Sequence, residues 1–224
     1  MIDIDYSVIR SPKRKTVSII IRANNQVDVL APIHVPAARI HRFVQDKRSW
    51  VQKKLQFNQD IRGRYQAKTF VEGESLELLG KSYRLETLES KTPIHISDDT
   101  LIAPSQQPDR LKKSLITWYR QKAEEHFKQR SEHFAAKIGK KPALIGVKTY
   151  KSRWGSCHHD GRIYFNWRLI MAPTWVIDYV VVHELCHLIH HNHSKAFWNI
   201  VEQTMPDYRQ AKDWLKTNGL ILEL

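Results

Sequence analysis

Residues 179–198 read YVVVHELCHLIHHNHSKAFW, an apolar run that leads into five histidines within eleven positions. Imidazole is a middling helix former and is seldom buried without a partner, so a dense cluster directly behind Val180, Val181 and Val182 needs a chemical reason. Within it, HELCH at 183–187 sets two histidines four apart. On a helix, side chains at that spacing project side by side, so His183 and His187 can offer two imidazole nitrogens to one tetrahedral ion. Glu184 lies about 100° round the helix from His183, near enough to reach a metal-bound water without being a ligand, which is the position of a general base. The valines upstream predict a buried helix, in which two unpaired imidazoles are penalised unless a metal or hydrogen bonds satisfy them.

A hydrolytic zinc site usually takes a third protein ligand and leaves one position to water. His190 and His191 come next in sequence. A continuing helix would carry His191 two turns from His183, about 12 Å along the axis, so both read as exposed histidines at a helix end. Asn192 is placed to end that helix in a left-handed conformation, Ser194 to cap the next, and His193 to sit in the bend between, where the chain can turn back towards the ion. His193 is therefore the preferred third ligand, and Glu202 on the following helix is its rival. Cys186 adjoins His187 but points to another face of the helix; it reads as a small buried residue, and Cys157 reads similarly. Tyr179, one turn before His183, is a candidate for lining the site or bonding a ligand. Arg153 and Trp154, in SRWGSC beside the cleft, read either as a pair that binds a substrate carbonyl or phosphate or as an arginine packed on an indole.

Composition bounds what surrounds this stretch. A chain of 224 residues with 42% apolar residues and seven Trp, eight Tyr and seven Phe spread along it is long enough and apolar enough to bury a sizeable core. The N-terminal MIDIDYSVIR lacks the basic and apolar regions of a secretion signal, and no apolar run approaches the roughly 18 residues of a membrane span, so the expectation is a soluble cytoplasmic protein. Two cysteines are too few for a disulfide framework. The net charge of +13 favours polyanions, but the basic pairs are scattered (13–15, 53–54, 112–113, 140–141), and no known nucleic-acid motif is present.

The chain is expected to be α+β, with an N-terminal antiparallel β-rich region carrying one amphipathic helix over 1–108 and a catalytic domain over 109–224. VSIIIR and VDVLAP flank ANNQ as a hairpin, ESLELLG and KSYRLET meet at Gly80 as a second, and PIHIS and TLIAP bracket Asp98 and Asp99 as a third. Ile40, Phe43, Val44, Trp50, Val51 and Leu55 recur at helical spacing over about 37–56. The polar SQQPDR at 105–110 is the expected domain boundary. A long helical pattern follows from Leu111 to Gly139, a good helix terminator. ALIGVKTY is β-like, HHDG at 158–161 is a turn, RIYFNWRL is the returning strand, and Pro173 opens the helix that carries Tyr179, His183 and His187 on one face.

Taken together, SRWGSC, the NWRL strand, APTWVIDYVVVHELCHL and NHSKAFW resemble the YgjP-like family of predicted metal-dependent hydrolases, related to SprT-like zinc metallopeptidases. EGESLELLGKSYRL and WYRQKA extend the likeness over nearly the whole chain. The resemblance implies a zincin-like catalytic domain with one Zn2+ held by His183, His187 and His193, and Glu184 as catalytic acid and base. It implies hydrolysis of a peptide or protein substrate, or alternatively pyrophosphatase action on UTP or a related nucleoside triphosphate. A basic nucleic-acid- or ribosome-associated module with a structural zinc is the alternative from a different class; its ion would be closed by a fourth protein ligand.

Overall fold

The computed structural model describes residues 4–22, 24–64, 68–89, 92–219 and 222. The chain forms two compact units, 1–66 and 67–224. The boundary drawn from sequence near 108 falls inside the second unit, because Leu76, Leu85 and Leu101 from its first strands share one core with Leu111 and Leu115 of the long helix that follows. A polar link marks a break in secondary structure; whether it also divides domains depends on what the flanking apolar faces bury.

In the first unit, β1 (Ser7–Ser11), β2 (Ser18–Ile21) and β3 (Val27–Pro32) form a sheet in the order β1-β3-β2. β2 and β3 are the expected hairpin, turned through Asn25 at φ 63° with Asn24 Oδ1 accepting from Gln26 N at 3.1 Å. Ala23 of that turn lies outside the described residues. β1 runs parallel to β3, so the expected antiparallel region is a mixed sheet. The expected helix over 37–56 is two, α1 (Ala37–Asp46) and α2 (Arg48–Arg64), because Lys47 leaves helical geometry at ψ 6°. Val29, Ala31, Ile40, Val44 and Val51 are its core.

The second unit holds the site. β4 (Ser75–Leu78), β5 (Lys81–Leu88), β6 (His95–Ser97) and β7 (Thr100–Pro104) form a sheet in the order β4-β5-β7-β6. Both expected hairpins are present, turned through Leu79–Gly80 and through Asp98 at positive φ, while β5 and β7 pair in parallel. The turn at Gly80 is pinned: its N–H donates to Met171 O at 3.2 Å, and a Cβ there would stand 2.7 Å from Pro173 Cα. Only glycine permits that approach, and it fixes the point where the histidine-bearing helix begins.

α3 (Pro108–Ile138) is the spine, about 46 Å long at 1.5 Å per residue. It ends as expected at Gly139 in the left-handed conformation. Leu111, Leu115, Trp118, Ala123, Phe127 and Phe134 form its buried stripe. β8 (Leu144–Lys148), β9 (Gly155–Cys157) and β10 (Arg162–Asn166) form a second sheet in the order β8-β10-β9, with Gly161 at φ 82° completing the β9–β10 turn. A 3-10 turn (Trp167–Met171) leads to α4 (Thr174–Cys186), then α5 (Lys195–Thr204) and α6 (Tyr208–Asn218). Arg130 of α3 clamps Asp178 of α4 with two hydrogen bonds of 2.6 and 2.8 Å. Among the described residues, no helix is long and apolar enough to cross a membrane.

Candidate metal centre

α4 is buried on almost every side, through Val176, Ile177, Val180, Val181, Val182, Leu185 and Cys186. One stripe of it runs Tyr179, His183, His187, with ring centroids 5.9 and 5.0 Å apart along it. The helix ends at Cys186, with His187 as its C-cap, rather than continuing to Asn192. Asn192 does not take a left-handed conformation; its Oδ1 accepts from Ser194 N at 3.3 Å. The early end lets the His190 carbonyl fold back and accept a hydrogen bond from His187 Nδ1 at 3.0 Å. A carbonyl only accepts, so His187 carries its proton on Nδ1 and keeps Nε2 as a free lone pair.

Ser194 caps α5 as expected, accepting from Phe197 N at 3.4 Å. That cap delivers three side chains to the site. His193 turns back until its Nε2 is 3.0 Å from His183 Nε2. Phe197, fully buried, lies 4.6 to 5.0 Å from the rings of all three histidines. Trp198 stacks on His193 at 5.7 Å and on Tyr208 at 5.3 Å. Nothing in the histidine spacing announces Phe197 or Trp198, which lie at the end of the same quoted stretch, in the NHSKAFW segment.

His183, His187 and His193 each bring a potential ligand atom within 4.8 Å of the other two. Burial first, and then the neighbouring imidazoles, push His183 down to about 3, and burial lowers His187 as well. Both are uncharged at neutral pH, as metal ligands must be. Two nitrogens each about 2.0–2.1 Å from a tetrahedral zinc stand about 3.3 Å apart, so the donor set fits a small divalent ion. His183 Nδ1 is buried without a hydrogen-bond partner among the described residues, which leaves Nε2 as that ring's outlet for polar contact.

The rivals lie elsewhere. Glu202 pairs with Arg209 at 2.9 Å and is exposed. The His191 ring faces His159 at 4.6 Å, and His190 contributes its carbonyl. Replacing both His190 and His191 by Ala is therefore expected to leave metal content unchanged, because the hydrogen bond to the cluster comes from the His190 main chain; loss of metal from a folded double variant, measured by elemental analysis, would overturn this placement.

Glu184 is 6% exposed and points at β9. Alternation along β9 turns the Cys157 N–H away from β10, and that N–H donates to the Glu184 carboxylate. A Cβ on Gly155 would fall 2.5 Å from Glu184 Oε1 and 2.6 Å from its Cγ, so the strand approaches this closely only because residue 155 is glycine. Burial raises the carboxyl to about 7, against the opposing pull of Arg153 and the Cys157 N–H. Arg153 lies in the loop before β9 with its guanidinium over Tyr150 at 5.5 Å, not on Trp154, and Trp154 packs against Gly219. Asn166, buried at the end of β10, holds that loop by donating to Tyr150 O at 3.1 Å and Arg153 O at 3.3 Å. Cys186 is buried and Cys157 half-buried; both are free thiols. Beside the histidines opens a pocket of about 430 Å³ lined by Arg153, Trp154, Tyr179, His183, Glu184 and Lys212, among others.

The family model for the YgjP-like metallopeptidase domain matches residues 15–218. The chain belongs to the YgjP-like family. Membership supports a metallopeptidase-type hydrolase that depends on a metal. The crystal structure of the metallopeptidase zymogen of Pyrococcus abyssi abylysin is similar at 22% identity and a TM-score of 0.39, over 41% of this YgjP-like chain and 92% of that one. No curated protein matches the chain.

Proposed function

We propose that the protein is a zinc-dependent hydrolase of peptide bonds, with one ion per chain held by His183, His187 and His193, Glu184 as general base, and a zincin-like catalytic domain within the unit 67–224 whose active-site helix is α4. The observation that carries this is a buried carboxylate, one residue from the first of three converging imidazoles, with a proton affinity poised near neutrality. An ion held there would supply a more acidic water and a polarised carbonyl. Glu184 then accepts a proton on its carboxylate and returns it to the leaving amine, a pair of tasks best served by a group titrating near the working pH. Cys157 N–H and Gly155 hold that carboxylate in place. Among the described residues β9 pairs with β10 alone, which leaves it an edge strand that an extended chain could extend.

A fourth His, Cys, Asp or Glu does not join the three histidines among the described residues, which disfavours a closed structural zinc in a nucleic-acid- or ribosome-binding module. A second reading, phosphoanhydride hydrolysis of a nucleoside triphosphate such as UTP, is favoured by one observation: Arg153, Lys212 and Lys216 line the same pocket.

The test begins with metal analysis. The purified protein should carry about one zinc per chain, His193→Ala should lose most of it, and Glu202→Ala should keep it. The reverse pattern would replace His193 by Glu202 as third ligand. Unfolded protein substrates and nucleoside triphosphates are then compared with wild type and Glu184→Gln side by side. Glu184-dependent release of pyrophosphate without cleavage of any polypeptide would overturn the peptidase reading.

A further inference from the structure

The pocket beside the histidines has a composition that the general-base chemistry does not need. Its floor is apolar, formed by Trp154, Val180 and Leu215, and its rim carries Arg153, Lys212 and Lys216. Lys212 and Lys216 lie one turn apart on α6, about 6 Å along its axis, and Arg153 comes from the loop before β9. Among the described residues none of the three cations has a carboxylate ion-pair partner. Lys212 is instead held over the Trp198 ring at 4.7 Å, on the indole that stacks against His193. Glu184 is the single carboxylate of the lining. Three cations around one acid leave a net positive pocket before any metal is counted.

We infer that this pocket reads a carboxylate on the substrate: the preferred peptides carry, next to the cleaved bond, a residue with an aliphatic stem and a terminal anionic group, either a Glu or Asp side chain or the free C-terminal carboxylate. The inference rests on the peptidase reading above. An apolar floor with a cationic rim matches a short hydrocarbon ended by one carboxylate. Lys212 and Arg153, reaching in from different elements, can meet the two oxygens of one carboxylate.

Matched peptides decide it, with zinc-loaded protein at low ionic strength. One pair differs by Glu against Gln in a C-terminally amidated peptide, and a second by free acid against amide at the C-terminus. In at least one pair the acidic member should have a kcat/KM about tenfold higher, falling as salt screens the rim over about 8–10 Å. Lys212→Gln with Lys216→Gln should bring the ratio within that pair close to one. Equal turnover of acid and amide in both pairs would overturn the carboxylate subsite while leaving the peptidase reading intact, and the responding pair tells side chain from chain end. Binding supplies the readout if no peptide is cleaved, the outcome that sinks the peptidase reading itself. N-acetylglutamate should then bind the chelator-treated, metal-free protein at least several-fold more tightly than N-acetylglutaminamide, which has neither carboxylate, followed by tryptophan fluorescence, and the double lysine variant should lose that preference. No preference in the metal-free wild type would overturn the subsite, because direct ligation of an ion cannot contribute there.

Discussion

Glu184→Gln should reduce hydrolysis by about 10²- to 10⁴-fold, the usual contribution of a positioned general base, while zinc content stays at the wild-type level. The same substitution should stabilise the metal-free protein. The folded-state value of Glu184, about 7, lies above its ordinary 4.5, so folding takes up a proton between those values. Stability is therefore lost as pH rises from 4.5 through 7, and above 7 the buried carboxylate costs about 3 kcal/mol, at roughly 1.4 kcal/mol per unit. Gln is uncharged at every pH and can still accept from the Cys157 N–H. Chelator-treated Glu184→Gln should thus unfold at distinctly higher denaturant than wild type at pH 8, and the gap should close near pH 4.5. His183 works in the opposite sense: held at about 3 by burial, it withdraws stability as pH falls below its ordinary 6.5, equally in both proteins. A difference between the two that does not change with pH would mean that Glu184 is not desolvated as described.

Gly155→Ala is the second large effect. Its Cβ would sit 2.5 to 2.8 Å from three atoms of a buried Glu184 side chain that has α4 behind it, so either β9 or the carboxylate must move by about an ångström. Displacement of that size in a catalytic group commonly costs about 10²-fold, and crowding of a packed interior costs about 1–3 kcal/mol. Activity should fall by at least that factor. Zinc should be retained, because none of the three histidines lies on β9. Removing the opposing atoms in Gly155→Ala/Glu184→Ala should abolish most of the stability cost of the added methyl without restoring activity, measured by denaturant titration against Glu184→Ala alone and alongside metal analysis. Full activity in Gly155→Ala would show that the strand does not hold the carboxylate.

Much of the local structure follows from the sequence because it depends on neighbours a few residues apart. Asn25, Gly80 and Asp98 mark turns through their tolerance of positive φ, Gly139 ends α3, and His183 and His187 share a helix face whatever surrounds them. The family was legible for the same reason, since its signature residues cluster in short stretches. The return of His193 could be argued from a bend, but its 3.0 Å approach to His183 depends on α4 ending at Cys186, which residue preferences around Asn192 placed too late.

What the tertiary structure alone decided are the encounters between distant segments. The parallel pairings of β1 with β3 and β5 with β7 replace a wholly antiparallel reading, because hairpin signals lie in turns and a parallel partner has none. Gly155 meets Glu184 across 29 positions, Asn166 holds the loop of Arg153, and Lys212 reaches the pocket from α6, where in sequence it is one lysine among many. Spacing along a helix or strand is set by a fixed rise per residue, so two histidines four apart declare themselves. Which strand covers a carboxylate, and which cation faces a pocket, depends on the path of the whole chain and on the burial of apolar faces that fixes it.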